Sequence, residues 1–379
     1  MARDSRLLAS VLLVLCLAAG LTGSASGQRL RGDSLLVEHW NGAAWRVTPA
    51  VAPRGDSELR AVTAVSPTDL WAVGSYVKAT RKFASFPLAE HYNGSSWSPV
   101  VLPTPNKKVE PELNAVSANS AKDVWAVGSL GHMSRRGRRS SFGHTLIEHF
   151  NGKGWKVMPS VRARGSELLG VAALTRRNAW AVGFLAVKRI YSRPLIEHWN
   201  GSVWRRVASP NPRGSEDALV AISARSARDI WAVGNYRARG GTRPLVLHWN
   251  GLRWMQVASP SPSRGGSLSG VAAIGAKDAW AVGEGGTGPL TEHWNGRAWR
   301  VVSARPPAAG LMNTSLRAVS ASSPTNVWSA GQEGYLPTKA LVDHWDGHAW
   351  SSRTTAGYLS GIAAVSANDV WAVGLRNAP

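Results

Sequence analysis

Cysteine occurs once in the 379 residues, at Cys16, so no internal disulfide can form and no cluster of thiolates can hold a structural metal. Acids are scarce, 23 Asp+Glu against 44 Lys+Arg, which leaves a surplus of positive charge to be explained. Phenylalanine and tyrosine are rare, five and six, beside nineteen tryptophans. The one long apolar run, Leu7 to Leu21, is short of the roughly 20 residues a membrane helix needs.

That run sits in an export signal. Arg3 and Arg6 supply the basic start, and Ala25 and Gly27 are small residues placed for cleavage before Gln28. Leu15 precedes Cys16 where a lipoprotein signal needs a small residue, so lipidation is not expected. The expected organisation is a signal peptide at 1–27, a short tail at 28–34 and one domain at 35–379. The mature chain, secreted or associated with the cell envelope, then has no cysteine and no membrane span. Taking Arg3 and Arg6 from 44 leaves 42 cations, and taking Asp4 from 23 leaves 22 acids, a net charge of +20. A surplus of this size favours adhesion to polyanions and says nothing about fold.

What the chain has in abundance is tryptophan at regular places. W-A-V-G recurs at Trp71, Trp125, Trp180, Trp231, Trp280, Trp328 (here W-S-A-G) and Trp371. H-W-N-G-x-x-W alternates with it, its histidine at His39, His91, His149, His198, His248, His293 and His344, with Tyr92 and Phe150 replacing two of the aromatics. Successive W-A-V-G tryptophans are 54, 55, 51, 49, 48 and 43 residues apart, the period of propeller blades. One unit reads as four strands, at Leu59–Ser66, Leu70–Gly74, Leu88–Tyr92 and Trp97–Val101. Ser66-Pro67-Thr68-Asp69 reads as a turn, and Asn93-Gly94 as a type I′ hairpin with positive φ at both residues.

The chain begins with the second half of a unit and ends with the first half of one. Pairing them closes a ring and leaves no exposed sheet edge at the seam. The predicted fold is therefore all-β, a seven-bladed β-propeller of four-stranded blades. Two or three tryptophans per blade fill the space between sheets, each able to bury about 150–250 Å². The histidines, preceded by Glu38, Glu90, Glu148, Glu197, Glu292 and Asp343 (Leu247 in one copy), read as scaffold rather than metal ligands, because seven positions about fifty residues apart cannot converge on one ion.

The unit resembles kelch- and Asp-box-type blades, and more closely the W-A-V-G/H-W-N-G repeats of secreted bacterial proteins. The kelch likeness lies in the glycine ending strand two, the late aromatic of strand three and the tryptophan opening strand four. An arginine follows in the next loop, as at Arg54, Arg164, Arg213 and Arg264. The kelch double glycine is absent (Gly74-Ser75, Gly128-Ser129), and Trp40 stands where an Asp box has its aspartate. Such families include lectins, scaffolds, sialidases and oxidases, so the resemblance implies a fold and leaves activity open.

Candidate sites are read on the loops. Asp69, Asp123, Asp229, Asp278 and Asp369 recur in the turn before strand two, where Asn178 and Asn326 replace them, as turn caps do. Asp56, Glu58, Glu110, Glu112, Glu216, Asp217, Glu284 and Glu333 read as scattered loop acids, with no carboxylate pair of glycosidase spacing legible. Arg-Gly-Asp-Ser occurs at Arg31, where it reads as a short tail segment, and at Arg54, where it reads as repeat drift. Loops joining strands two and three are basic in four consecutive blades: Lys78, Arg81 and Lys82; Arg135, Arg136, Arg138 and Arg139; Lys188, Arg189 and Arg193; Arg237, Arg239 and Arg243. The expected function is non-catalytic binding of an anionic envelope or extracellular polymer on that loop face. The alternatives are a multivalent neutral-sugar lectin with sites between blades, a protein–protein scaffold, and a glycan hydrolase or lyase. No cofactor or metal is expected, no specific nucleic-acid reading arises, the partner is a polyanionic glycan, a wall polymer or an envelope protein, and the chain is expected to be monomeric.

Overall fold

The computed structural model describes residues 34–376 apart from 54, 79–84, 104–108, 134–138, 162, 189–190, 213–215, 287, 304–313 and 335–337. Within them the chain forms seven four-stranded antiparallel sheets. Blade one runs Gly55–Ser66, Asp69–Lys78, Ser85–Tyr92 and Trp97–Pro99, from the axis outwards. Blades two to six span Val109 to Val157, Ser166 to Arg206, Ala218 to Val257, Gly266 to Val301 and Ser315 to Ala356. Blade seven joins the two ends of the chain. Tyr358–Ser366 and Asp369–Arg376 are its inner strands and Ser34–Trp40 and Trp45–Val47 its outer ones, with Leu36 opposite Gly374 and His39 opposite Trp371.

The third strand starts earlier than the sequence reading has it, at Ser85, and the fourth ends earlier, at Pro99, and two further features differ. The inner hairpin of blade one is longer than expected, because its ladder continues from Ser66 opposite Asp69 to Gly55 opposite Lys78. The Asn-Gly hairpin is a four-residue loop, since Tyr92 pairs with Trp97. Asn93 works through its side chain there, Oδ1 accepting from the amides of Ser95 and Ser96 at 3.0 Å each. Only Gly94 takes positive φ, +92°. The asparagine is thus an Asx-turn acceptor rather than a left-handed residue.

The glycine of W-A-V-G answers to a β-bulge. In every blade the first strand slips register by one residue after a buried leucine, as between Leu59 and Ala61 or Leu113 and Ala115. The bulge pushes a first-strand carbonyl against strand two, so a Cβ on Gly128 would lie 1.9 Å from the Glu112 oxygen. The other six glycines of the motif meet their neighbours at 1.9–2.1 Å. Only glycine fits that approach.

Tryptophans join the blades. The W-A-V-G indole of each blade packs on the strand-three aromatic and the strand-four tryptophan of the next. Trp125 lies 5.2 Å from both Trp199 and Trp204, the second edge-on at 80°. The seam is built the same way, Trp328 against Trp40 and Trp45, and Trp371 against Tyr92 and Trp97. Seven apolar clusters result, one per blade boundary.

Candidate functional site

Of the cationic loop residues, Arg81, Lys82, Arg135, Arg136, Arg138 and Arg189 lie outside the described residues. Arg139 and Lys188 begin and end strands at the same end of the blades. Arg193 is exposed opposite Leu185. Arg237 and Arg239 are exposed at a tight hairpin closed by Ala238 and Gly241, where Gly240 has φ +86°. Arg243 departs from this group. It is half-buried and its guanidinium donates to Pro262 O at 2.8 Å and Ser261 Oγ at 3.2 Å, so it braces the next connection. Glu284 is likewise no free loop acid. It lies in strand two of blade five, and burial raises its carboxyl pKa against the opposing pull of Arg317.

The repeated histidines each close a small clamp. His149 stacks on Trp125, directly opposite in register, with ring centroids 4.0 Å apart. Its Nε2 meets Asp123 Oδ1 at 2.7 Å. His39, His91, His248 and His293 meet Asp369, Asp69, Asp229 and Asp278 at 2.8 Å each. His198 and His344 meet Asn178 and Asn326 instead, at 3.0 and 2.8 Å. For these two, burial lowers the imidazole pKa. Imidazole, indole and turn side chain therefore form one unit per blade, which links the D-x-W and H-W motifs physically.

The acid before each histidine faces inward. Glu90, Glu148, Glu197 and Glu292 have no solvent exposure, and desolvation raises their pKa to about 7, 8, 7 and 7. Neighbouring groups moderate three of them: the Val51 amide near Glu90, the Val161 amide donating to Glu197 at 3.3 Å, and Ser259 Oγ donating to Glu292 at 2.8 Å. Both carboxyl oxygens of Glu148 lack a hydrogen-bond partner among the described residues.

A polar constellation at the axis was not legible as a site. The bulged residue of each first strand (Arg60, Asn114, Leu169, Val220, Ser269, Arg317, Ser360) lines a central cavity of about 270 Å³. Arg60 donates to Glu58, to Glu112 Oε2 at 2.9 Å and to Asn114 Oδ1 at 2.8 Å. Asn114 passes the chain to Glu167 Oε1 at 2.9 Å, and the Tyr358 hydroxyl donates to Glu58 Oε2 at 3.1 Å. The two flanking carboxylates push the Arg60 pKa up despite burial, and burial raises that of Tyr358. This network ties four blades together around the axis. The acids Glu58 and Glu112, expected in loops, are strand residues because the inner hairpins are long. The available signal was the E-L pair repeated at Glu58, Glu112 and Glu167 in three successive blades.

The repeat histidines sit at the far end of the strands from these acids, beside the turns, so none of the seven joins the axial carboxylates. Among the described residues no group of three His, Cys, Asp or Glu is placed to hold a metal, and no helix is long and apolar enough to cross a membrane.

No protein-family model matches the chain, and no curated protein matches it significantly. Solved structures do. YCF48 bound to a D1 peptide aligns over 87% of this chain and 97% of its own, at 14% identity and TM-score 0.52. The six-bladed fucose-recognising lectin of Aleuria aurantia aligns over 71% and 86%, at 14% and 0.45. The lectin SapL1 in complex with alpha methyl fucoside aligns over 79% and 95%, at 11% and 0.49. At such identities the likeness speaks to fold alone: this chain is a seven-bladed β-propeller.

Proposed function

We propose that the protein is an exported, non-catalytic binding propeller of kelch- or Asp-box-like type, holding an anionic extracellular or envelope polymer, foremost an acidic glycan, on its variable loop face. One observation carries this reading. Eleven of the 23 acids are buried, whereas among the described lysines and arginines the axial Arg60 stands out as enclosed and most others are exposed. The exposed charged groups are thus mostly cations, and the field of such a surface favours polyanions. Arg193, Arg237 and Arg239 are exposed on that face in two adjacent blades. The test is a glycan and wall-polymer array at low and high salt. Binding to acidic polymers that collapses with salt, and weakens when Arg135, Arg136, Arg138 and Arg139 are neutralised, is the expected result. Silence toward acidic polymers at low salt refutes it. N-terminal sequencing of exported protein checks cleavage after Gly27.

A multivalent neutral-sugar lectin is the second reading. It is favoured by the strand-three aromatics, of which Trp40, Tyr92, Phe150, Trp249, Trp294 and Trp345 stay half-exposed at six blade boundaries. The Aleuria aurantia protein is a fucose-recognising propeller lectin and SapL1 a lectin holding alpha methyl fucoside by their names, and the YCF48 structure holds a peptide, which keeps a protein partner as a third outcome. Several equivalent, salt-resistant sugar sites on the array would establish the lectin instead.

A further inference from the structure

The face opposite the variable loops is made of turns of fixed length. Each blade contributes the two-residue connection between strands one and two, as between Ser120 and Asp123, and the four-residue loop between strands three and four, as between Phe150 and Trp155. Both lengths hold in all seven blades. Equal turns on a closed ring of like blades end at one level, giving a flat face.

That face is divided by charge. In blades two to five one turn position holds Lys122, Arg177, Arg228 and Lys277, all exposed; in the other three it holds Thr325, Asn368 and Thr68. The stems of the four cations rest on the glycine of the companion loop. A Cβ on Gly152, Gly201, Gly251 or Gly296 would fall 2.7–2.8 Å from their Cγ atoms. Lys153, Arg176, Arg225, Arg253 and Arg297 are exposed on the same four blades. The turn acids of this arc are Asp123, Asp229 and Asp278, each held by its histidine; Asp229 also pairs with Arg225 at 2.7 Å. Within the arc, at loop tips of adjacent blades, stand Val203 and Leu252, 43% and 87% exposed.

We propose that this half-face docks on an anionic lipid bilayer, the cations over the headgroups and Leu252 with Val203 entering the interface. A level cationic surface complements a planar anionic one, and apolar tips among cations add insertion to attraction. A linear polyanion would use the cations and gain nothing from Leu252. The proposal concerns the face opposite the polymer site and stands whether or not that site exists.

The experiment is co-sedimentation with vesicles of phosphatidylcholine alone and of phosphatidylcholine mixed with phosphatidylglycerol. Expected is binding to the mixed vesicles only, weakened by salt. Glutamine at Lys122, Arg177, Arg228 and Lys277 keeps the stems on the turns and should cost about fivefold in affinity per cation. Leu252→Ser should cost about tenfold at every salt concentration. Arg193→Gln with Arg237→Gln and Arg239→Gln, on the other face, should leave vesicle binding unchanged. An environment-sensitive dye on Leu252→Cys, in a Cys16→Ser background, should shift to the blue on binding. Near-UV circular dichroism confirms that each variant is folded. No preference for the anionic vesicles overturns the proposal. So does binding that is indifferent to Leu252→Ser and equally competed by soluble alginate, which would make the arc a polymer site.

Discussion

Replacing Glu148 by leucine should stabilise this protein, and more so as pH rises. The carboxyl is fully buried in the boundary between blades one and two, and both its oxygens lack partners among the described residues. The reason lies in the neighbouring blade. Val161, six residues after Trp155, gives its amide to Glu197. The residue six after Trp97, in the equivalent place facing Glu148, is Pro103, which has no N–H to give. The connection into blade four has the same proline, Pro210, and there the acid is already replaced by the fully buried Leu247. The equivalent position of blade four thus accommodates leucine.

Burial moves the Glu148 pKa from 4.5 to about 8. A carboxyl whose folded pKa is raised favours the folded state only while protonated. Its penalty is absent below the unfolded value, grows as pH climbs through 4.5, and levels off above about 8. The limit is about 5 kcal/mol, with about 2 kcal/mol already present at pH 6. Thermal unfolding at pH 5 and pH 8 reads this directly. The wild type should lose stability between them, and Glu148→Leu should recover on the order of 5–10 °C at pH 8 and far less at pH 5. Equal destabilisation of the variant at both pH values would show that the carboxyl is satisfied in the fold and the reasoning is wrong.

Glu90, Glu197 and Glu292, raised to about 7, act in the same direction. The lowered pKa values of His198 and His344 oppose them, removing stability as pH falls below the ordinary imidazole value. Melting temperature against pH should thus peak in mildly acidic solution and fall steadily to pH 8. Gly128→Ala should cost more than 4 kcal/mol or prevent folding, because its Cβ meets a backbone oxygen at 1.9 Å; expression yield and chemical denaturation check it. Trp125→Ala should cost about 3–5 kcal/mol by opening a cavity between blades two and three, whereas His149→Gln should cost about 1–2 kcal/mol through the lost clamp on Asp123. Urea melts of the two variants give the comparison.

The fold was open to sequence reading because its signals are redundant. Seven copies of W-A-V-G fix the period, and two half-units at the ends fix closure, so misplacing one strand end by a few residues changes nothing. The site was less open for a physical reason. Side chains at the axis belong to bulged positions, where the residue type differs in nearly every blade: Arg60, Asn114, Leu169, Val220 and so on. Averaging over the repeats erases those differences. The motif residues that do recur are consumed by the scaffold, His on Trp, Trp on Trp. Arg243 looked like its exposed neighbours Arg237 and Arg239 because its acceptors, Pro262 and Ser261, come from a separate connection.

The scaffold and the surface charge have a common origin. A propeller must satisfy the ends of many short strands, and this chain does so with acids. Asp123 lies under His149 and Trp125, Glu197 on the Val161 amide, and Glu58 and Glu112 on Arg60. Acids are thus spent inside the scaffold, while cations such as Lys122, Arg177, Arg228 and Lys277 stay outside with their stems on the turns. Below about pH 7 the interior carboxyls of Glu90, Glu148, Glu197 and Glu292 also hold their protons and contribute no negative charge at any range. Electrophoretic mobility should therefore exceed that calculated from composition at pH 6, and Glu148→Leu should leave mobility at that pH unchanged. Equality with the composition value would show these carboxyls ionised at pH 6 and refute their raised pKa values.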